Sequence, residues 1–500
     1  MIGAHSPALL ILFPLLASFV IAGLIWLDRR LCFPVAVIGL FGSVYSAGHL
    51  FFQVLETGAI SYRFGGWPPP MGIELQVDQL NILVLVVISL VALINFVASK
   101  RSMHTELGIK DETFYVLYLL FVAGILGVTA TADLFNLYVL IEISSLASYG
   151  MLAMGHPDRA PWASLNYVFL GVIGASFYLL GVGYLYIMTG SLNMGDVHSL
   201  LPPIMHSPAI VVAFIFCLIG VWVKMAFFPL HGWLPNAYTF APVSASRVIA
   251  PLMTKVMIYV MIRIMLSVFG YEYVLEKLDL HKWVVALASA AIIAGAFMAL
   301  AQQELKRMLA YIIVCEVGYM VGGAWLGNVQ GLTGAVLHII NDALMTFALF
   351  LVLGNIVYIR TKTRFEDLQG LFASMPWTMA GFVLAGVSII GVPPTCGFFS
   401  KWYLILGGIE AGAWVFVVAL VLSSLISAIL VFRIVEIGFF PADDSDHEAY
   451  DHGQEVLKEA PVPMLGALGL VGTGLIAVGI WSGFLVQRVI LPFIQQSVAS

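Results

Sequence analysis

Three lysines stand where hydrocarbon is expected: Lys224 in GVWVKMAFFPLHGWLPNAY, Lys255 in APLMTKVMIYVMIRI and Lys401 in GVPPTCGFFSKW. An ammonium at the centre of a bilayer costs about 2.5–3.5 kcal/mol, so each needs a counter-charge, a wet cavity or a task. Acidic and imidazole groups sit in equally apolar runs: Glu142 in LYVLIEISSLASYG, Glu316 in YIIVCEVGYM, and His338 with Asp342 in VLHIINDALMT. His338 and Asp342 are four residues apart and share a helix face. A single such residue is as readily explained by a structural ion pair or by a lysine snorkelling to an interface. A whole set at membrane depth describes a path for protons. A lysine in a low-dielectric site gives up its proton more readily, and a nearby carboxylate opposes this, so moving the carboxylate toggles the lysine. Glu142 and Lys224 are read as such a switchable pair. Lys255 and His338 relay protons laterally toward Lys401, with histidine suited to the middle because it titrates near neutral pH. Glu316, Asp342 and His231, the last in the same proline-interrupted stretch as Lys224, are secondary candidates.

The elements that must hold these groups are membrane helices. In 500 residues, 61% are hydrophobic and only 10% charged, and the mean hydropathy is +1.00; a water-soluble chain would need a charged surface. About fourteen runs reach the roughly 20 residues that cross a bilayer. They fall near 7–27, 31–55, 79–99, 113–131, 133–154, 161–189, 208–229, 243–267, 283–303, 305–326, 329–358, 376–397, 411–436 and 463–487. The fold class expected is therefore an all-α integral membrane protein. The first run has no basic residues before it and is expected as a retained span, not a cleaved signal peptide. Outside the three lysines within spans, only Arg63, Arg263, Lys277, Lys282 and Arg488 fall on one side, and every other Lys and Arg falls on the opposite side. The richer side is cytoplasmic by the positive-inside rule, which places both termini outside and requires an even number of spans. The long polar stretch PADDSDHEAYDHGQEVLKEAP becomes an acidic cytoplasmic connector.

The spacing suggests a repeat. Glu142 precedes Lys224 by 82 positions and Glu316 precedes Lys401 by 85, each lysine beside a proline-broken span. Spans 4–8 and 9–13 are expected as two copies of one five-helix unit, inverted because each holds an odd number of spans. The expected domains are helices 1–3 (1–110), the first repeat (111–270), the second repeat (271–440), and the acidic loop with helix 14 (441–500). Breaks near spans 7 and 12 expose backbone groups that only a polar cavity or ion path satisfies. The four cysteines, Cys32, Cys217, Cys315 and Cys396, lie in or beside apolar segments without metal or disulfide spacing and are expected as small core residues. With no GxGxxG, P-loop, CxxC or haem and iron–sulfur ligand pattern, no cofactor and no metal site are expected, and redox chemistry must lie in other chains. No nucleic-acid partner is expected.

At these same residues the sequence resembles the antiporter-like subunits of Mrp (Mnh) multisubunit cation/proton antiporters, of respiratory complex I and of membrane-bound hydrogenases. The likeness is carried by NLYVLIEISSLASYG, YLYIMTGSLNMGDV, FFPLHGWLPNAYTFAPVSAS, APLMTKVMIYVMIRI, QQELKRMLAYIIVCEVGYM and GVPPTCGFFSKW, and is most similar in flavour to the D-type member of the Mrp set. The resemblance implies a fourteen-helix fold. It matches Glu142 to the family's fifth-helix glutamate, Lys224 and Lys255 to its seventh- and eighth-helix lysines, His338 to an eleventh-helix relay histidine and Lys401 to its twelfth-helix lysine. Glu316 stands where many relatives carry an uncharged polar residue. Asp342 and Thr346 replace a second histidine and a lysine, Asn236 a common aspartate, and Asn166 a frequent lysine. The chain is expected to lack the long lateral helix of the largest members. The implied function is proton translocation within a hetero-oligomer of other subunits in a prokaryotic plasma membrane, surrounded by lipid. It would exchange H+ for Na+ or another monovalent cation, or alternatively pump ions in a redox complex.

Overall fold

In hydrocarbon an apolar run becomes a helix because a helix bonds its backbone groups within its own segment. The computed structural model describes residues 2–155, 158–440 and 458–499. The chain opens with α1 (Ser6–Leu27), α2 (Cys32–Thr57), α3 (Ile82–Ala98), α4 (Lys100–Leu107), α5 (Asp111–Ala130), α6 (Leu134–Ala153), α7 (Ala160–Thr189) and the short α8 (Met194–Leu200). It continues through α9 (Pro208–Lys224), α10 (Leu234–Phe240), α11 (Val243–Arg263), α12 (His281–Leu300), α13 (Leu305–Trp325) and α14 (Val329–Arg360). The last part holds α15 (Leu371–Ser374), α16 (Pro376–Ile390), α17 (Cys396–Glu410), α18 (Trp414–Phe439), α19 (Val462–Ile480), α20 (Ser482–Leu485) and α21 (Leu491–Ala499). One small antiparallel hairpin, β1 (Ile60–Arg63) on β2 (Glu74–Val77), departs from the purely helical expectation, with Ile60 opposite Val77. Residues 441–457, most of the expected acidic connector, lie outside the described residues.

Among the described residues eleven helices are long and apolar enough to cross a membrane, or twelve if α3 and α4, bent by 64°, form one span. The fourteen expected are not all met by length and composition. The expected spans that fall short are those beside Lys224 and Lys401: α9 has 17 residues and α16 has 15. Both stop at the expected proline breaks. After α16, Gly391 turns into the left-handed region at φ 92° and Pro393 and Pro394 follow. The helix then restarts as α17, largely in the stretch between two expected spans, and it is α17 that carries Lys401.

Burial sorts the helices. Over their most apolar stretches α11, α13 and α14 are 94% buried, whereas α1, α7 and α19 are less than half buried. The three central helices therefore touch protein on all sides, and they carry Lys255, Glu316, His338 and Asp342. Ser207 and Asn328 cap α9 and α14 with side-chain oxygens that accept from Ala209 and Gly331. Three basic residues expected at the solvated flanks, Arg247, Lys306 and Arg263, are buried instead. Arg247 is fully enclosed and donates to Ser99 Oγ at 3.0 Å, and Lys306 donates to the Ala241 carbonyl at 2.6 Å. Arg263 grips Asp78 with two bonds of 2.7 and 2.8 Å, tying the end of α11 to the loop before α3.

Helix α9 is held against α7 by an approach of backbones. A Cβ on Gly220 would lie 2.6 Å from the Gly174 carbonyl oxygen and 2.7 Å from the Tyr178 nitrogen, the use of small residues that lets membrane helices meet closely. Since Gly220 sits one turn before Lys224, this contact sets the depth of the lysine. We expect Gly220→Ala to cost about 1–3 kcal/mol of overpacking. It should lower the thermal unfolding midpoint of the purified assembly, and an unchanged midpoint would contradict the close contact.

Candidate functional site

Lys224 is the last residue of α9, where the break leaves carbonyls without helical partners. Val223 O accepts from Ala226 N at 3.2 Å and from the indole of Trp233 at 3.0 Å, and that indole stacks on Tyr167 at 3.8 Å. An ammonium at the negative end of a helix dipole is itself favoured. Lys224 Nζ donates to Glu142 Oε1 at 3.0 Å, Ser145 Oγ at 2.9 Å and Tyr149 OH at 3.4 Å. The lysine side chain is 2% exposed and that of Glu142 20%, so the pair is sealed at its basic end and ajar at its acidic end. Ser145 and Tyr149 were not singled out from sequence, although they follow Glu142 by three and seven residues on one face of α6.

A second pair sits on the central helices. Lys255 Nζ lies 2.9 Å from Asp342 Oδ2, with Thr346 Oγ1 and Ala250 O each at 3.3 Å. The Thr346 hydroxyl donates to Asp342 Oδ1 at 2.8 Å. Helix-face spacing pairs Asp342 with His338; the tertiary fold gives it to Lys255 as counter-ion across α11 and α14.

A third group joins α13, α14 and α17. His338 Nε2 is 2.6 Å from Glu316 Oε2, and its Nδ1 is 2.8 Å from Ser400 Oγ. Lys401 Nζ donates to the Ile389 carbonyl at 2.5 Å, at the negative end of α16, and to Ser424 Oγ at 3.2 Å. It also lies 4.9 Å from the centre of the Tyr319 ring. Among the described residues no carboxylate contacts Lys401. His231 stays apart: half-buried, it stacks on Phe228 at 5.2 Å. The four cysteines are free and buried, as core residues would be.

A many-helix membrane protein whose central helices carry buried acid–base pairs in series is the class this fold and site define. The family model described as NADH:quinone oxidoreductase/Mrp antiporter, TM matches residues 131–427, and the chain belongs to that family. It is 41% identical over 505 residues to the N subunit of NADH-quinone oxidoreductase of Desulforudis audaxviator, covering 97% of this chain and 98% of that protein. It is 30% identical over 404 residues to the D subunit of the Na(+)/H(+) antiporter of Alkalihalophilus pseudofirmus, covering 79% and 80%. Among solved structures, a chain of the membrane-bound sulfane sulfur reductase, an archaeal respiratory membrane complex, matches with a TM-score of 0.86 at 28% identity over 98% of this chain and 97% of that one. The protein is an antiporter-like membrane subunit of Mrp or complex I type.

The Lys255–Asp342 contact makes a thermodynamic prediction. Removing one partner of a buried pair strands the other charge and costs about 3–5 kcal/mol, whereas replacing both by apolar groups is close to neutral. We expect Asp342→Leu to lower the thermal midpoint of the assembly sharply and Lys255→Met with Asp342→Leu to recover most of the loss. Additive losses in this double-mutant cycle would show that the two do not interact.

Proposed function

We propose that this chain is the proton-translocating membrane subunit of a multisubunit complex in a prokaryotic plasma membrane, with both termini on the outer side. The single observation that carries this is the row of buried acid–base groups running through α6, α9, α11, α13, α14 and α17. Glu142 and Lys224 form the switchable pair. While the carboxylate is in contact, the Lys224 ammonium is stabilised; when it withdraws, the desolvated ammonium gives up its proton. Lys255 with Asp342, then His338, pass charge laterally to Lys401. A void of about 10 Å3 beside Lys224 reaches Met257 of α11, and another of about 10 Å3 lies beside Lys255. Each is at the lower limit for one water and is lined almost wholly by apolar side chains, so both are dry in this geometry and the proposed transfer between neighbouring groups requires movement of the helices.

For the driving force, the end-to-end likeness to the N subunit of NADH-quinone oxidoreductase supports a pump driven by electron transfer in partner subunits. The shorter and weaker likeness to the D subunit of the Na(+)/H(+) antiporter supports the second reading, exchange of protons for Na+ or another monovalent cation. The halves carrying Glu142/Lys224 and Glu316/Lys401 then act as two inverted five-helix units, 111–270 and 271–440.

The test uses everted membrane vesicles carrying the whole assembly. We expect the electron donor of the partner subunits to acidify the lumen, Lys224→Ala and Lys401→Ala each to abolish this, and added Na+ to leave a preformed gradient intact. Dissipation of the gradient by Na+, lost in the same variants, would replace the pump with the antiporter. Normal proton movement in both variants would remove the relay altogether.

A further inference from the structure

The two halves place their carboxylates differently. In the first, Glu142 touches its lysine. In the second, Glu316 sits on α13 with a side chain 1% exposed and faces His338, while the Lys401 Nζ, similarly enclosed, meets among the described residues a carbonyl, a hydroxyl and an aromatic face. Glu316 uses one oxygen for His338; among the described residues its buried Oε1 has no hydrogen-bond partner. A carboxylate oxygen without a donor in a closed interior is costly, and such a group is poised to find a second partner. Tyr319, one turn further along α13, links the two sides. Its ring lies 5.5 Å from the His338 ring and 4.9 Å from Lys401 Nζ, and its hydroxyl is anchored 2.6 Å from Ser423 Oγ. The charges match as well. With a neutral imidazole, Lys224, Lys255 and Lys401 balance Glu142, Asp342 and Glu316, and Glu316 is the carboxylate left for Lys401 once the other two pairs are formed.

We propose that Glu316 is itself a proton carrier that alternates between His338 and Lys401; the step rests on the relay reading above. The imidazolium of His338 gives its Nε2 proton to Glu316 Oε2. The neutral carboxylic acid then turns about its side-chain bonds, past the Tyr319 ring, and delivers the proton to the neutral amine of Lys401. The carboxylate that remains pairs with the new ammonium until Lys401 passes its proton onward and returns to the amine, and a proton arriving at His338 then draws the carboxylate back. One proton moves from His338 to Lys401 for each swing, and nothing else is consumed. The present geometry is the His338-facing state.

Glu316→Gln separates carrying a proton from accepting a hydrogen bond, because the amide oxygen still accepts from His338 but cannot be protonated to an acid. In vesicles of the assembly we expect this variant to assemble and to lose about a hundredfold in proton-transfer rate, the scale of a removed general acid–base group, with Glu316→Asp recovering part of it. Infrared difference spectra of the native assembly between resting and energised states should show a protonated-carboxyl band that is absent in Glu316→Gln and shifted in Glu316→Asp. Native transport by Glu316→Gln beside an inactive Lys224→Ala would overturn the inference and leave the relay standing. Native transport by both would overturn the relay and the inference together. If the glutamine variant does not assemble, the aspartate variant decides: an unshifted carboxyl band rules Glu316 out as the carrier.

Discussion

A positive charge enclosed among hydrocarbon has to be compensated by the protein itself, and much of this structure follows from doing so three times for lysine. Lys224 and Lys401 each sit at the negative end of a helix that a proline break has cut short, so the break that destroys helical hydrogen bonds also creates a site for an ammonium. Lys255 lies inside an unbroken stretch of α11 and has no helix end to use; it meets the carboxylate of Asp342 instead. Compensation is local for each of these three lysines.

The need for compensation explains which helices are central. Helices α11, α13 and α14 carry ionisable groups along faces that lipid could not solvate, and they are the ones most completely surrounded by protein. The peripheral helices, apolar and half-exposed, supply the boundary with lipid or with partner subunits. Close backbone contacts such as Gly174 with Gly220 let the broken helix α9 pack at a depth where its last residue reaches α6.

The groups form three clusters, not one continuous wire. Lys224, Lys255 and His338 have no hydrogen bond to one another among the described contacts, so the proposed relay requires water or motion between clusters. That discontinuity suits a device that must be driven: a fully connected path would conduct protons down their gradient without doing work. In the proposed relay, pairs that break and reform would let an external event, electron transfer or cation binding, time each step.

Membrane class, the helical segments, the breaks near Pro229 and Pro393, and the ionisable groups themselves were legible in the sequence, because hydropathy and proline act locally and a charge in an apolar run is visible without any partner. The Glu142–Lys224 pairing was legible too, since the two stand out at 82 positions' separation in strongly apolar surroundings. The partner of Asp342 was not legible: helical periodicity reports that it shares a face of α14 with His338 but not that α11 brings Lys255 against it. Helix α17 was missed because a short helix after a double proline does not reach spanning length. Arg247 and Lys306 read as flanking charges because their distance from the apolar runs is a property of the chain, whereas their burial is a property of how helices stack over them. Residue types and the sites of helix interruption are determined by the sequence by itself; which acid meets which base was decided only by tertiary packing, since the electrostatic energy of a pair depends on distance in space across helices far apart in the chain.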